Sequence, residues 1–170
     1  NPEAAIEMAT AMAEANPFAA GAAMGAMAEA APEIATGAAA AMAEANPDAA
    51  GFAAQSMADA VPELAAEAAT AMMEVAPDSA GAIAGGVARG DADIAAQVAT
   101  DMVNANPELM GDIAGGVAQM APGAAGDVAG AMVEANPDGA ADMAATIAET
   151  VPGAAGAVAG AIAEADPALA

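Results

Sequence analysis

The sequence repeats a unit of fifteen residues, and this period constrains the fold more than any other feature. Residues 136–150 illustrate the unit: an Asn-Pro-Asp start, a run of Ala with a few bulky apolar residues, and a carboxylate near the end. A fixed short period is typical of solenoids, in which each unit packs mainly on its neighbours. We therefore predict a single repeat array over residues 1–170. Its units begin at residues 1, 16, 31, 46, 61, 76, 91, 106, 121, 136 and 151, with a partial unit at 166.

Proline marks the start of nearly every unit, because all eleven prolines occupy position 2 when each unit is counted from its first residue. Pro is favoured in the first turn of a helix, and it disfavours helix at the residue before it. The sequence thus predicts an all-α solenoid of short helices, with one helix per 15-residue repeat and Pro at helix position N1. Each helix should span roughly 11 to 13 residues and be joined to the next by a turn of two or three. Several units start with a residue that favours a helix N-cap: Asn1, Asn16, Asn46, Asp91, Asn106, Asn136 and Asp166.

One unit lacks the proline, since Ala92 takes its place. Here the sequence has Gly90 followed by Asp91. We predict that Gly90 ends one helix as a C-terminal glycine and that Asp91 caps the next, so that the boundary is kept by other means.

The remaining positions divide each helix into a charged arc and a wide apolar arc. Of the 24 carboxylates, 21 occupy positions 3, 7 and 14, which share one side of a helical wheel, whereas position 12, opposite them, is always Met, Val or Ile. We assign the methionines to the core rather than to a soft-metal site. Positions 4, 8 and 12 form a bulky flank and positions 5, 6, 9 and 13 a small one, so neighbouring helices should dock closely. No clear 30-residue alternation separates inner from outer helices.

The charge balance limits the partners of the chain. Arg89 is the only basic residue, and the net charge is -23, so nucleic acid and anionic membranes would repel the surface. Cations, basic surfaces and other copies of the chain are the expected partners. Uncharged stretches are too short and too often broken by Pro to span a membrane. Without His, Cys, Lys or Tyr, no catalytic residues are indicated and we expect a non-enzyme without a resident cofactor.

Paired carboxylates one helical turn apart are the candidate metal ligands. Calcium takes several oxygen ligands, although no loop has the spacing of a dedicated calcium motif. The candidate pairs are Glu3 with Glu7, Glu63 with Glu67, Glu108 with Asp112, and Asp138 with Asp142. A solvated face that keeps an Ala-rich chain soluble explains the same carboxylates.

For function, the uniform repeat and the lack of any reactive constellation favour a structural role. The expectation is a building block of an extracellular or cell-surface filament that assembles by end-to-end stacking of repeats. Two alternatives stay open. One is a calcium-dependent adhesin stalk or binding module. The other is an ice-binding protein, since Ala-rich helices can have this role, although it requires a flat, regular face of Thr or Ala and Thr10, Thr70 and Thr100 share their repeat position with Gly25, Gly85 and Gly115.

Overall fold

The protein is described by a computed structural model in which residues 2–167 are placed. These residues form eleven helices and no strand. Each full unit contributes one helix, and the predicted all-α repeat solenoid with Pro at the helix starts is confirmed. The helices are α1 (Pro2–Ala15), α2 (Pro17–Ala30), α3 (Pro32–Ala45), α4 (Pro47–Ala60), α5 (Pro62–Val75), α6 (Ala80–Gly90), α7 (Ala92–Ala105), α8 (Met110–Met120), α9 (Ala125–Ala135), α10 (Ala140–Thr150) and α11 (Ala155–Ala165).

Six of the helices are longer, and their junctions shorter, than the sequence predicted, whereas α6, α8, α9, α10 and α11 have 11 residues and fall within the predicted length. Helices α1 to α5 and α7 have 14 residues. One extended residue separates consecutive units, as at Asn16 with φ -159 and ψ 95. Its N–H donates to the carbonyl of Met12 at 2.8 Å, which satisfies the end of the preceding helix. Because Pro has no N–H to satisfy, the next helix can restart at once.

Helices α6, α8 and α10 start differently, because a 3-10 turn precedes each of them: Pro77–Ser79, Pro107–Leu109 and Pro137–Gly139. This difference decides which predicted N-caps form. The side chains of Asn16, Asn46 and Asp91 accept hydrogen bonds from the N–H groups of Ala19 (3.1 Å), Asp48 (3.1 Å) and Asp93 (2.9 Å).

Two predicted caps make no such bond. Asn106 and Asn136 lie before 3-10 turns and form no side-chain cap bond; instead the Asn106 backbone carbonyl accepts from the N–H of Leu109 at 3.2 Å. Asp166 ends α11, and the helix that it would cap lies outside the described residues, as does Asn1.

The helices form two layers, an arrangement that the sequence analysis did not find. Each even-numbered helix packs most extensively on the even-numbered helix two along the chain, and each odd-numbered helix on its odd-numbered neighbour. Consecutive helices pack across the layers. We call these the even layer and the odd layer. The structural repeat is therefore a helix pair of two 15-residue units.

The core lies between the layers and is built largely from Ala and Met. Position 12 is fully buried in the central helices, for example at Met42, Met57 and Met72, which confirms the core interpretation for these methionines, whereas Met8 is 57% exposed. Met12 and Met27, in the first two helices, are only partly buried. The carboxylates of residues 2–167 lie on the surface, and only Asp91, Asp101 and Asp166 are half-buried.

Glycine distinguishes the two layers. In the even layer, a Cβ added at Gly116 would overlap the backbone of Gly81, and one added at Gly86 would overlap the carbonyl oxygen of Gly51. In the odd layer, a Cβ at Gly37 would meet nothing within 4 Å. Gly therefore permits close backbone approach in the even layer only.

Gly90 ends α6 as predicted, but it belongs to this close packing and does not adopt the left-handed conformation typical of a C-terminal glycine. It is the last residue of α6, and no residue in the described range has a positive φ. A Cβ at Gly90 would overlap the carbonyl oxygen of Gln55 on α4. Its small size, rather than left-handed backbone geometry, explains its presence beside the cap residue Asp91.

Candidate functional site

The predicted calcium ligands lie along single helices, and all of them are exposed. Glu3 and Glu7 lie on α1, and Glu63 and Glu67 on α5. The other two pairs, Glu108 with Asp112 and Asp138 with Asp142, join a 3-10 turn to the start of the following helix. Within residues 2–167 no three carboxylates come together in a group that could hold a metal ion. The calcium assignment stays a prediction, to be tested by titration.

Neighbouring helices bring together carboxylates that the sequence analysis did not combine. A groove between α5 and α7 is lined by Glu67, Glu74 and Asp101. A second groove, between α6, α8 and α10, has Asp78 and Asp112 in its lining. Helices in the same layer are two units apart, so a comparison of the sequence between alternate units would have been needed to predict which helices share a groove.

The threonines at repeat position 10, which bear on the ice-binding alternative, are only half-exposed. Thr10, Thr70 and Thr100 lie in the odd layer and are each partly buried. The hydroxyl of Thr10 donates to the carbonyl of Ile6 at 3.0 Å, so its hydrogen is already used within the helix. Thermal hysteresis remains the measurement that tests this function.

The first two helices expose an apolar surface that is covered elsewhere in the array. Position 8 is fully buried in every helix from α3 to α11, yet Met8 is 57% exposed and Ala23 is only half-buried. The preceding helix of the same layer covers this position in the interior, and α1 and α2 have no such neighbour in the described chain. We call this surface the N-terminal face. It comprises Ala4, Met8, Ala11, Ala19, Ala23 and Ala26.

The last two helices expose the opposite side of the repeat. Position 9 is buried from α1 to α9, and so is position 13, but Ala159 and Ala148 are exposed. The following helix of the same layer covers these positions in the interior. We call this surface the C-terminal face. It comprises Ala141, Ala145, Ala148, Gly156, Ala159 and Gly160.

The two faces are the two halves of one contact that recurs inside the array. Positions 6 and 10 of a helix form its forward flank, and positions 7 and 11 of the next helix in the layer form the backward flank that meets it. Thus a Cβ at Gly25 would lie 2.8 Å from the carbonyl oxygen of Ser56, and one at Gly126 would lie 3.7 Å from that of Ala157. The C-terminal face carries unmatched forward flanks and the N-terminal face unmatched backward flanks.

Comparison with known proteins finds no counterpart: no family, no curated protein and no solved structure matches the chain significantly. No helix within residues 2–167 combines the length and the apolar character needed to cross a membrane.

Proposed function

We propose that the protein is a structural building block of an extracellular or cell-surface filament in which copies stack end to end. The observation that carries this proposal is that one helix-to-helix contact recurs along both layers and leaves matching flanks uncovered at the two ends of the described residues. Each face exposes positions that every interior helix buries, such as Met8 on one side and Ala159 on the other. Contiguous exposed apolar surfaces of this kind are typical of protein contact sites.

The geometry of the contact supports an open polymer over a closed dimer. A forward flank binds a backward flank, so the two contacting surfaces differ. Such a heterologous contact propagates unless its rotation closes a ring. Each added copy presents the same free face as the one before it, and growth continues.

Charge favours the ends over the sides as the site of contact. The carboxylates of the described residues line the sides of the array, and a protein with a net charge of -23 repels a second copy that approaches laterally. The faces are formed mainly by Ala, Gly and Met, with Glu7 at the edge of the N-terminal face. Because added salt shortens the range of the remaining repulsion to about 10 Å at 0.1 M, assembly should increase with ionic strength.

Electron microscopy and sedimentation of the purified chain, across a series of NaCl concentrations, test the proposal. We expect filaments of constant width that lengthen with protein concentration and with salt. Short rods of one chain length under all conditions would contradict it. Filament formation is also measured with a calcium chelator at fixed ionic strength. Filaments that persist with the chelator form through general charge screening, whereas filaments that are lost require calcium.

Charge placed on one face should stop growth, and the same charge on a side should not. Met8→Glu on the N-terminal face and Ala159→Glu on the C-terminal face are the disruptive variants. Gly37→Glu is the matched control, since Gly37 is exposed on the side of α3 with open space around it. A mixture of the two face variants should form dimers through the unaltered faces and no longer species.

A calcium-dependent stalk is the second candidate, motivated by the acidic groove that Glu67, Glu74 and Asp101 line on two helices, although no three carboxylates of residues 2–167 lie close enough together to hold one metal ion. Carboxylates on adjacent helices can approach a cation from two sides, as calcium coordination requires. Calorimetric titration should give a defined stoichiometry that Glu67→Gln lowers. Weak binding that NaCl suppresses, and that Glu67→Gln leaves unchanged, would remove this candidate.

A further inference from the structure

We infer that the outer surface of α2 and α4 docks a polypeptide segment that has an apolar side chain and, a few residues away, an Arg or Lys. The surface consists of the ring pair Phe18 and Phe52 and of the groove between the two helices, which includes Glu29 and Asp59. We call it the aromatic groove. It lies on the side of the array, so the inference goes beyond end-to-end assembly and does not depend on it.

The only two aromatic residues of the chain contact each other at this surface. Phe18 on α2 and Phe52 on α4 have ring centroids 5.3 Å apart in an edge-to-face arrangement. Phe52 is half-buried and packs so closely on Gly21 that an added Cβ there would overlap it. Phe18 is 66% exposed, the highest fraction of any bulky apolar side chain in residues 2–167. Packing within the chain therefore explains Phe52 but not Phe18.

The exposure of Phe18 belongs to its place in the unit and does not come from a missing neighbouring helix. Position 3 is exposed in all five even-numbered units, including those with a same-layer helix on both sides. In the other four units this position carries a carboxylate: Asp48, Asp78, Glu108 and Asp138. Phe18 thus replaces a charge at an outward position. Aromatic side chains are enriched where protein surfaces contact a partner.

A groove with a floor of small side chains continues from the ring pair. Phe18 and Phe52 precede Ala22 and Ser56 by four residues, so they lie one helical turn before them on the same faces of α2 and α4. The rings therefore lie at one end of the groove. The small residues that line it leave room for a polypeptide segment: Ala22, Gly25, Ala26, Ser56 and Ala60.

The other end of the groove is negatively charged. Glu29 and Asp59 line it, are both exposed, and lie in the last turns of α2 and α4, which contain no basic residue. The carbonyl groups at a helix C-terminus add partial negative charge to these carboxylates. Arg89, the only basic residue of the chain, lies on α6 and does not line the groove. Charge complementarity therefore calls for a cationic group from the partner.

The distance between the two ends sets the spacing within the partner. Glu29 follows Phe18 by 11 residues, and Asp59 follows Phe52 by 7, which corresponds to about 10–16 Å along the helix axes. An extended polypeptide covers this distance with roughly three to five residues. A second copy of this chain fits poorly, because Arg89 is its only basic residue.

Fluorescence titration with a synthetic peptide tests the inference. The probe is the amidated peptide Trp-Ser-Gly-Ser-Arg-Arg, whose Trp is the only one in the sample because the protein has none. The titration uses about 0.5 M NaCl, where attraction by the net charge is screened beyond roughly 4 Å. We expect a saturable blue shift of the Trp emission. The peptide Ser-Ser-Gly-Ser-Arg-Arg should fail to displace the probe, and Trp-Ser-Gly-Ser-Glu-Glu should fail to bind.

Matched variants locate the binding site. Phe18→Ala should weaken binding by roughly tenfold, as expected for loss of an aromatic anchor. Val75→Ala, which truncates another exposed apolar side chain on the odd-layer helix α5, should leave it unchanged. Glu29→Gln should weaken binding by roughly two- to threefold, whereas Glu149→Gln, at the same position of α10, should not. Far-UV circular dichroism checks that each variant keeps its helices.

Two kinds of result would overturn the inference. A probe that shows no blue shift, or that binds Phe18→Ala as tightly as Val75→Ala, would show that the aromatic groove is not its docking site. Self-association that sedimentation detects, that Phe18→Ala abolishes and that the peptide does not inhibit would show that the surface joins two copies of the chain instead. Neither result bears on filament growth, which is measured separately with Met8→Glu and Ala159→Glu.

Discussion

The even layer and the odd layer are built from the same 15-residue unit, yet neighbouring helices lie closer together in the even layer than in the odd layer. Between α2 and α8, even-layer backbones approach so closely that a methyl group at Gly86 or Gly116 has no room. Odd-layer helices have Ala or Asp at the equivalent position 11 and make less extensive contacts with their neighbours. Neighbouring helices are therefore closer together in the even layer than in the odd layer. Because of this difference in spacing, we expect the array to curve toward the even layer. Glycine thus sets the shape of the solenoid, at a cost in helix propensity of up to about 1 kcal/mol per residue.

The largest expected effect concerns the core that both layers share. Met57 of the even layer and Met72 of the odd layer are both fully buried at position 12. Met57→Ala and Met72→Ala should each lower the free energy of unfolding by about 2–5 kcal/mol, through lost burial and an unfilled cavity. Urea unfolding followed by far-UV circular dichroism measures this, since the chain has no Trp or Tyr.

Similar losses at the two sites would mean that the layers differ only in their same-layer packing. If one loss is several-fold larger than the other, the difference between the layers extends into the core, and the comparison must be revised.

A smaller effect tests the close packing of the even layer directly. Gly116→Ala places a Cβ against the backbone of Gly81, and Gly86→Ala places one against the carbonyl oxygen of Gly51. Backbone cannot move aside as a side chain can, so each change should cost about 1–3 kcal/mol of unfolding free energy as overpacking. The same denaturation experiment measures it. An increase in stability at both sites would show that the even helices have room to separate.

The sequence predicted the fold class because the local signals agree with one another. Pro at position 2, carboxylates on one arc and Met, Val or Ile opposite them all have the same 15-residue period, and each acts within a single helix. The layers depend on which helices meet, and that information lies in a weaker 30-residue pattern. Asn precedes Pro at four of the junctions that lead into the even layer, whereas Ala or Val does so at most junctions into the odd layer: Asn16, Asn46, Asn106 and Asn136 against Ala31, Val61, Ala121 and Val151.

The structure gives a physical reason for this pattern at one junction. The side-chain amide of Asn46 donates to the carbonyl of Ala13 at 2.7 Å, near the end of α1 and 33 residues back along the chain. An N-cap explains Asn within one helix, but this second bond joins different helices and has no signature in a single unit. The end faces could not be predicted from the sequence either. The repeat predicted that copies stack, but it did not identify the residues of the surfaces that would be in contact.

The two hydrogen bonds of Asn46 supply the next prediction. Asn46→Ala removes the cap on the N–H of Asp48 and the bond to Ala13, and should cost about 1–2 kcal/mol. Asn106→Ala is the matched control, because Asn106 makes no side-chain cap bond, and its loss should stay within about 0.5 kcal/mol. If Asn46→Ala and Asn106→Ala lower the unfolding free energy equally, the side-chain hydrogen bonds of Asn46 do not contribute, and Asn acts only through its preference for the extended backbone conformation before Pro.

The smallest expected effect has the opposite sign and completes the comparison. Gly37 lies in the odd-layer helix α3, exposed and with no atom within 4 Å of an added Cβ. Gly37→Ala should therefore raise the unfolding free energy by about 0.5–1 kcal/mol, since Ala restricts the unfolded chain and favours helix. Gly25→Ala in α2 is its counterpart, where the new Cβ would lie 2.8 Å from the carbonyl oxygen of Ser56, and it should lower stability. Because the two changes are chemically identical, a gain at Gly37 with a loss at Gly25 can only come from the spacing of the helices. If both variants gain stability, glycine is not what brings the even layer together, and the expected curvature toward that layer loses its physical basis.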